Sequence, residues 1–316
     1  MFPIGVTALL APGQGSQAPG MFTPWLDSEH ARGLVQQWSE RSGLDLLHLG
    51  TEAQAEEIQD TAIAQPLIVA LSLLAFDRLR RDVGPPEDTP VAGHSVGELA
   101  AAAIAGVLSA EDAVALAAMR GAEMARACAA ERTGMAAVML GEPDRVVAWL
   151  AEHGLTAANQ NGAGQIVASG ATERIERIVA EPLEGTKVRA LKVAGAFHTA
   201  YMAPAEEAMR AHAADITPGE PTRPLLSNAD GTVVTSGAEY LDRLVRQITR
   251  PVRWDLTMHG LVSLGVTGTV ELPPAGTLTG LVKRELKGKV DTIIALKTPD
   301  NLAALAGPDS TQETAQ

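Results

Sequence analysis

Apolar and polar positions along this chain follow two rhythms. In the first, short unbroken apolar runs recur at Ile4 to Leu10, at Pro90-Val91-Ala92, at Pro224-Leu225-Leu226-Ser227 and at Thr267 to Leu272. Runs of that length without alternation predict strands buried on both faces. Helical periodicity separates them. It covers Thr61 to Arg81 (with Gln65-Pro66 near its start), Glu98 to Ala105, Tyr240 to Thr249, Leu256 to Leu264 and Leu278 to Lys287. Ser109, followed by Glu111-Asp112, reads as the N-cap of a further helix that runs through Arg120 toward Cys128,. Strand–helix alternation of this kind predicts a mainly parallel sheet with helices on both faces.

The second rhythm begins near Thr133-Gly134. Met135 to Leu140 predicts a strand, and Pro143 to His153 an amphipathic helix stopped by Gly154. Thr156 to Asn161 and Gln165 to Ser169 predict two strands joined by Gly162-Ala163-Gly164. A helix entered through Thr172 follows, then a closing strand over Val188 to Val193. The order β-α-β-β-α-β over about 60 residues is the ferredoxin-like pattern,. The expected architecture is therefore α/β, a core with a mainly parallel sheet and an inserted ferredoxin-like subdomain. Residues 1–130 and 195–307 form the core, 131–194 the insert, and 308–316 a polar, frayed tail,.

Composition narrows the function. The chain has 316 residues, 46% of them hydrophobic, which predicts a compact globular protein,. Aromatics are only 3%, so there is no platform for stacking nucleic-acid bases,. A net charge of −13 repels nucleic acid and anionic membranes,. An acidic substrate then needs a local basic site. The single cysteine, Cys128, excludes an internal disulfide and a Cys-based metal cluster,. No basic segment precedes Phe2-Pro3-Ile4, and no stretch approaches a membrane span of about 20 apolar residues,. A cytoplasmic protein is expected.

The chemistry centres on Gly93-His94-Ser95-Val96-Gly97, between a predicted strand and an Ala-rich helix. Glycines on both sides allow a sharp turn that lifts the Ser95 hydroxyl out of the fold. The helix N-terminus behind it offers free N–H groups to a tetrahedral oxyanion. The competing reading is a plain Gly/Ser turn. A serine nucleophile needs a base. Of seven histidines, His198 stands apart, in Gly195-Ala196-Phe197-His198-Thr199, after a predicted strand and before a helix near Pro204. Loops at strand ends are where α/β folds place catalytic groups, although a histidine there also caps helices. His94, adjacent to Ser95, is expected to point to the other side of an extended backbone. Arg120, between Met119 and Gly121 on an Ala-rich helix, is either a solvated face residue or a bidentate clamp for a carboxylate,. Gly13-Gln14-Gly15-Ser16-Gln17 is a poor phosphate loop, because it lacks the Gly-Lys-[Ser/Thr] ending,.

Five segments, in order along the chain, resemble the malonyl-CoA:acyl carrier protein transacylases of fatty-acid and polyketide synthesis. They are Pro12-Gly13-Gln14-Gly15-Ser16-Gln17, Gly93-His94-Ser95-Val96-Gly97-Glu98, Met119-Arg120-Gly121, Gly195-Ala196-Phe197-His198 and Arg250-Pro251-Val252-Arg253-Trp254. Asn161 to Gly170 and Leu278-Thr279-Gly280-Leu281 are also similar. Each motif is weak alone; the ordered set is specific and covers nearly the whole chain. The resemblance implies a hydrolase-like core with a ferredoxin-like insert. It implies that Ser95 attacks the malonyl thioester and that His198 is the base, oriented by the main-chain carbonyl of Gln247 in place of a triad acid. It further implies an oxyanion hole from the N–H groups of Gln14 and Val96, and Arg120 as receptor of the malonyl carboxylate. Phe197 would crowd an α-methyl group, and His94 and Asn161 would line the substrate site. No bound cofactor is implied: malonyl-CoA is the substrate, and an acyl carrier protein brings the phosphopantetheine thiol in a ping-pong cycle. The chain departs from the family at Pro273-Pro274-Ala275-Gly276, where a Gly-Pro-Gly-like turn is usual.

Two other readings stay open. A serine hydrolase shares Ser95 and His198, and the sequence between them holds many acids that could complete a triad,. A carrier-docking scaffold would keep the surface without the chemistry. Lys187, Arg189 and Lys192, with Arg250, Arg253, Lys283, Arg284 and Lys287, form a candidate docking surface for an acidic carrier, or scattered solvated charges,.

Overall fold

The computed structural model describes residues 6–305. The tail expected at 308–316 lies outside them.

Strands β1 (Val6–Ala11), β2 (Val91–Gly93), β3 (Thr133–Met139), β4 (Thr156–Gln160), β5 (Gln165–Ala171), β6 (Lys187–Ala190), β7 (Val252–Arg253), β8 (Val266–Glu271) and β9 (Thr292–Ala295) form two sheets. The first has the order β2-β1-β8-β9 and every pairing is parallel. The run Pro224 to Ser227 is not a full strand: Leu225 makes a parallel bridge to Val91 at the sheet edge, and Leu226 an antiparallel bridge to Val233. The connection from β1 moves to one side of the sheet, and β8 lies on the other. That reversal opens a crevice beyond the carboxyl ends of the strands. The loops after β1, β2 and β8 all reach it.

Helices cover this sheet. Thr61–Asp82 is the longest, capped by Asp60 and buried over most of its length. It is long and apolar enough to cross a membrane, contrary to the expectation that no segment approaches a span. Its apolar residues pack into the protein's own core, and its last turns carry Arg78, Arg80 and Arg81. Ala110–Ala130 packs against it, and a Cβ on Gly121 would sit 2.6 Å from the Thr61 carbonyl oxygen. Glycine at 121 thus permits the close approach that holds the neighbouring Arg120 between the two helices. Further helices at Glu29–Ser42 and Ala203–Ala213 complete this layer.

The second sheet has the order β6-β3-β5-β4-β7. Its first four strands are antiparallel and follow the ferredoxin-like order, with helices Pro143–Glu152 and Thr172–Ala180 between them. Period-two alternation sorts its side chains. Ala136, Val138, Ile166 and Ala168 pack with Val146, Leu150, Ile175 and Ile178 into a small separate core. Met135, Ala137, Val167 and Asn159 face the crevice. Two expectations are corrected. The closing strand ends at Ala190 instead of Val193, because Leu191, Lys192 and Val193 peel away to line the crevice. The sheet also gains a fifth strand from outside 131–194: β7 pairs in parallel with β4 through Asn159–Val252 and Gln160–Arg253.

Candidate active site

The elbow is built by close backbone approach. A Cβ on Gly93 would overlap the main chain of Gly97, and one on Gly97 would overlap the Ala11 carbonyl. With both glycines, β2 turns into helix Gly97–Ile104 in three residues, and Ser95 adopts a left-handed φ of 53°. Such a φ in a non-glycine residue is strained and is held only by its surroundings. Asn228 does the holding. Its Oδ1 accepts from Ser95 N at 2.8 Å and its Nδ2 donates to the Gly93 carbonyl at 2.7 Å.

His198 is also left-handed, with φ 60°, and only 3% exposed. Its Nε2 lies 2.8 Å from Ser95 Oγ, and its Nδ1 lies 2.8 Å from the main-chain oxygen of Gln247. The carbonyl can only accept, so Nδ1 carries the proton and Nε2 is the free lone pair facing the serine. Burial first, then the charge of Arg120, presses the imidazole down to about 3, so the ring is neutral at neutral pH,. Among the described residues no carboxylate touches His198, so the acids that sequence left open as triad members do not form one.

Arg120 is 2% exposed. Its Nη2 donates to Gln247 Oε1 at 2.9 Å and to Ser95 Oγ at 3.3 Å, and its Nη1 donates to Gln65 Oε1 at 2.6 Å. Burial lowers it to about 10, which leaves it charged at neutral pH. Among the described residues it has no ion pair. The solvated-face reading of Arg120 fails on this burial.

A cavity of about 380 Å³ opens onto these groups, with Gln14, Val96 and Phe197 in its wall. The N–H groups of Gln14 and Val96 meet no main-chain acceptor among the described residues. His94 lines the same cavity, where the resemblance puts it and contrary to the strand-alternation argument that points it away. The backbone at Ser95 is turning and not extended, so the alternation rule does not apply there. His94 Nε2 lies 2.9 Å from Asn161 Oδ1, its ring meets Trp254 edge-on at 5.5 Å, and burial lowers its pKa. Asn161 also donates to Gln165 Oε1 at 3.3 Å. After the Pro273-Pro274 turn, Thr277, Leu278 and Leu281 line the cavity, and Glu271 at the end of β8 accepts from the N–H groups of Gly276, Leu278 and Thr279. Of the candidate docking cations, Lys192 lines the cavity and Arg253 pairs with Asp255 at 2.8 Å. No cluster of three metal-ligating side chains occurs among the described residues.

Three contributors escape sequence reasoning. Asn228 had no local signal. Gln65 was visible only as the residue before a proline. Glu98 was detectable as the lone charge in an otherwise apolar helix, and it is 1% exposed.

A strained serine on a strand–helix elbow, hydrogen-bonded to a buried neutral histidine over an open cavity, defines the class of α/β proteins built for acyl transfer through serine. The chain belongs to the acyl transferase domain family, whose model matches residues 9–314. It is 55% identical over 300 residues to the malonyl CoA-acyl carrier protein transacylase of Mycobacterium tuberculosis, covering 95% of this chain and 99% of that protein. It is 35% identical over 310 residues to the protein of the same name from Escherichia coli, covering 94% and 97%. The crystal structure of MCAT from Mycobacterium tuberculosis superposes with a TM-score of 0.91, covering 95% of this chain and 99% of that one at 55% identity. The Coxiella burnetii malonyl CoA-acyl carrier protein transacylase follows at 0.90, with 28% identity and 96% and 97% coverage.

Proposed function

We propose that this acyltransferase moves a malonyl group from malonyl-CoA to the phosphopantetheine thiol of an acyl carrier protein, for fatty-acid or polyketide synthesis. The observation that carries the reading is Arg120: a buried guanidinium with no ion pair among the described residues, 3.3 Å from Ser95 Oγ. An anionic acyl group would satisfy it, and an acetyl group would leave it unpaired.

In the first half-reaction Ser95 Oγ attacks the thioester carbonyl and His198 Nε2 takes its proton. The C–S bond breaks, the proton passes to the sulfur, and coenzyme A leaves as the free thiol. In the second, the carrier's thiol gives its proton to His198, its sulfur attacks the acyl-serine, and Ser95 recovers the proton. The N–H groups of Gln14 and Val96 hold the oxyanion in both halves. The Gln247 carbonyl keeps the His198 ring in the required tautomer. Phe197 limits bulk at the α-carbon, and His94 with Asn161 shapes the wall opposite. The unit that does this chemistry is the core of 1–130 and 195–307, with 131–194 as its roof and β7 shared between them. A cytoplasmic setting without nucleic-acid or membrane partners fits the charge of −13 and the burial of Thr61–Asp82.

Intact mass after brief mixing with malonyl-CoA, with and without holo carrier protein, tests the reading. A malonyl adduct that the carrier discharges is expected. Coenzyme A release without an adduct would establish a hydrolase instead, and carrier binding with neither would establish a scaffold.

A further inference from the structure

We propose that Glu98 is a positioning residue that decides which end of the Gln247 amide faces Arg120, and thereby aims Arg120 at a substrate carboxylate. The inference rests on the reading of Arg120 given above.

Glu98 stands in the first turn of the helix that follows the nucleophile, and both of its carboxylate oxygens are occupied by donors. Oε1 accepts from Asn228 N at 2.6 Å and from the Tyr240 hydroxyl at 3.3 Å. Oε2 accepts from Gln247 Nε2. An ionised carboxylate has no proton to give, so the NH2 end of Gln247 must face it. The same NH2 donates to the Ser95 carbonyl at 3.1 Å. Gln247 Oε1 is then left for Arg120 Nη2, at 2.9 Å. With the amide inverted, an NH2 would meet a guanidinium and two oxygens would meet at Glu98.

The arrangement also solves a charge problem. A carboxylate bonded directly to Arg120 would compete with a substrate carboxylate. Here the compensating negative charge lies one amide away, on the far side of Gln247. Arg120 is tethered by two neutral glutamines, Gln65 and Gln247, and keeps its capacity for an anion. One residue therefore orients both reacting partners: the main chain of Gln247 holds His198 and its side chain holds Arg120. Glu98 is the group that fixes that side chain, while Asn228 links it back to the backbone of the elbow.

Protonation of Glu98 would remove the constraint, since a carboxylic acid both donates and accepts. Burial raises this carboxyl to about 7. The charged and titratable groups that face it are Arg120, Tyr240 and, around a second cavity behind Gln247, Asp230, Glu239, Arg243, Arg246 and Arg250. Tyr240 is raised well above its usual range and stays a donor. A fall in pH through about 7 therefore acts on Glu98 itself.

The test compares malonyl-CoA with acetyl-CoA as donors, so that steps common to both cancel. In the unaltered protein the malonyl-to-acetyl ratio of kcat/KM is expected to fall about tenfold between pH 8 and pH 6, as the carboxylate takes up its proton. Glu98→Gln is expected to raise the malonyl KM about tenfold more than it affects acetyl transfer, and to abolish the pH dependence of the ratio. Glu98→Asp should retain part of that dependence. A ratio that is flat with pH in the unaltered protein overturns the proposal, and does so even if the variants fail to fold. Equal loss of malonyl and acetyl transfer in a folded Glu98→Gln also overturns it. Arg120→Ala separates the two levels. If it collapses the ratio and Glu98→Gln does not, only the positioning role fails. If it lowers both substrates equally, the carboxylate-receptor reading itself fails.

Discussion

The parallel sheet and the antiparallel insert face the same cavity but bury opposite kinds of residue. Among the described residues, the buried ionisable groups Glu98, Arg120, His198, Tyr240 and Glu271 all belong to the core, whereas the polar groups that the insert buries, Asn159, Asn161 and Ser169, are neutral. The insert's own small core is aliphatic, and the outer faces of its two helices are solvated. A buried charge is tolerated only inside a surrounding network of hydrogen bonds. The core has such a network because three loops, two long helices and the bridge at Leu225 converge there. The insert is a single sheet with helices on one face over an aliphatic core, which offers a buried charge few hydrogen-bond partners,. The division of labour follows: reactive groups sit on the braced side, and the other side supplies a neutral wall.

The comparison breaks first at the nucleophile. Ser95→Ala is expected to remove the acyl adduct and to lower transfer by about 10⁴-fold or more, read by intact mass and initial rates. Residual transfer near the unaltered rate would place the nucleophile elsewhere. On the insert's side, Ile178→Ala should cost about 2–5 kcal/mol of stability by chemical denaturation, because this fully buried residue leaves a cavity in a small core,. The rate per folded molecule should change by less than about twofold. A collapse of kcat there would mean that the insert does more than roof the site. Arg120→Ala sharpens the contrast at a smaller scale: malonyl transfer should drop about 10- to 100-fold relative to acetyl, the worth of a charge-assisted hydrogen-bond pair.

The last prediction concerns pH and stability, and the sign depends on which state holds more protons. His198 is lowered from 6.5 to about 3, so between those values the unfolded chain binds its proton and stability falls as pH falls,. Glu98 is raised from 4.5 to about 7, so between those values the folded chain binds its proton and stability falls as pH rises,. From 4.5 to 6.5 the two slopes oppose each other. Glu98→Gln removes one of them. Its stability should climb with pH in that window by about 1 kcal/mol per unit more steeply than that of the unaltered protein, measured by denaturant midpoints. Parallel profiles would show that Glu98 does not hold its proton in the folded state.

Much of this was legible from residues close together in the chain. The elbow at Ser95 needs glycines at fixed offsets, so its pattern is local. The insert was readable because two helices and four strands each show their own period within a short segment. Helix Glu29–Ser42, which Ser28 caps through Ala31 N at 3.2 Å, and strand β9 stand outside the elements that the sequence pattern predicts. Strand alternation points His94 away because it treats a left-handed turn as extended chain, whereas the family resemblance puts His94 beside the cavity that it lines. Glu98, Gln65 and Asn228 act through partners 55 to 149 residues away, and no local period reports such pairs.

Sequence by itself determined the two rhythms, the strand–turn–helix context of Ser95 and the loop that carries His198. Backbone sterics and side-chain periodicity act over a few residues, and those features need nothing more. The family resemblance already implied that the Gln247 carbonyl orients His198; only the tertiary structure decided that Arg120 is buried with no ion pair among the described residues and that the Gln247 side chain joins it to that histidine. These are matters of which polar groups lose water together, and that depends on how distant segments pack.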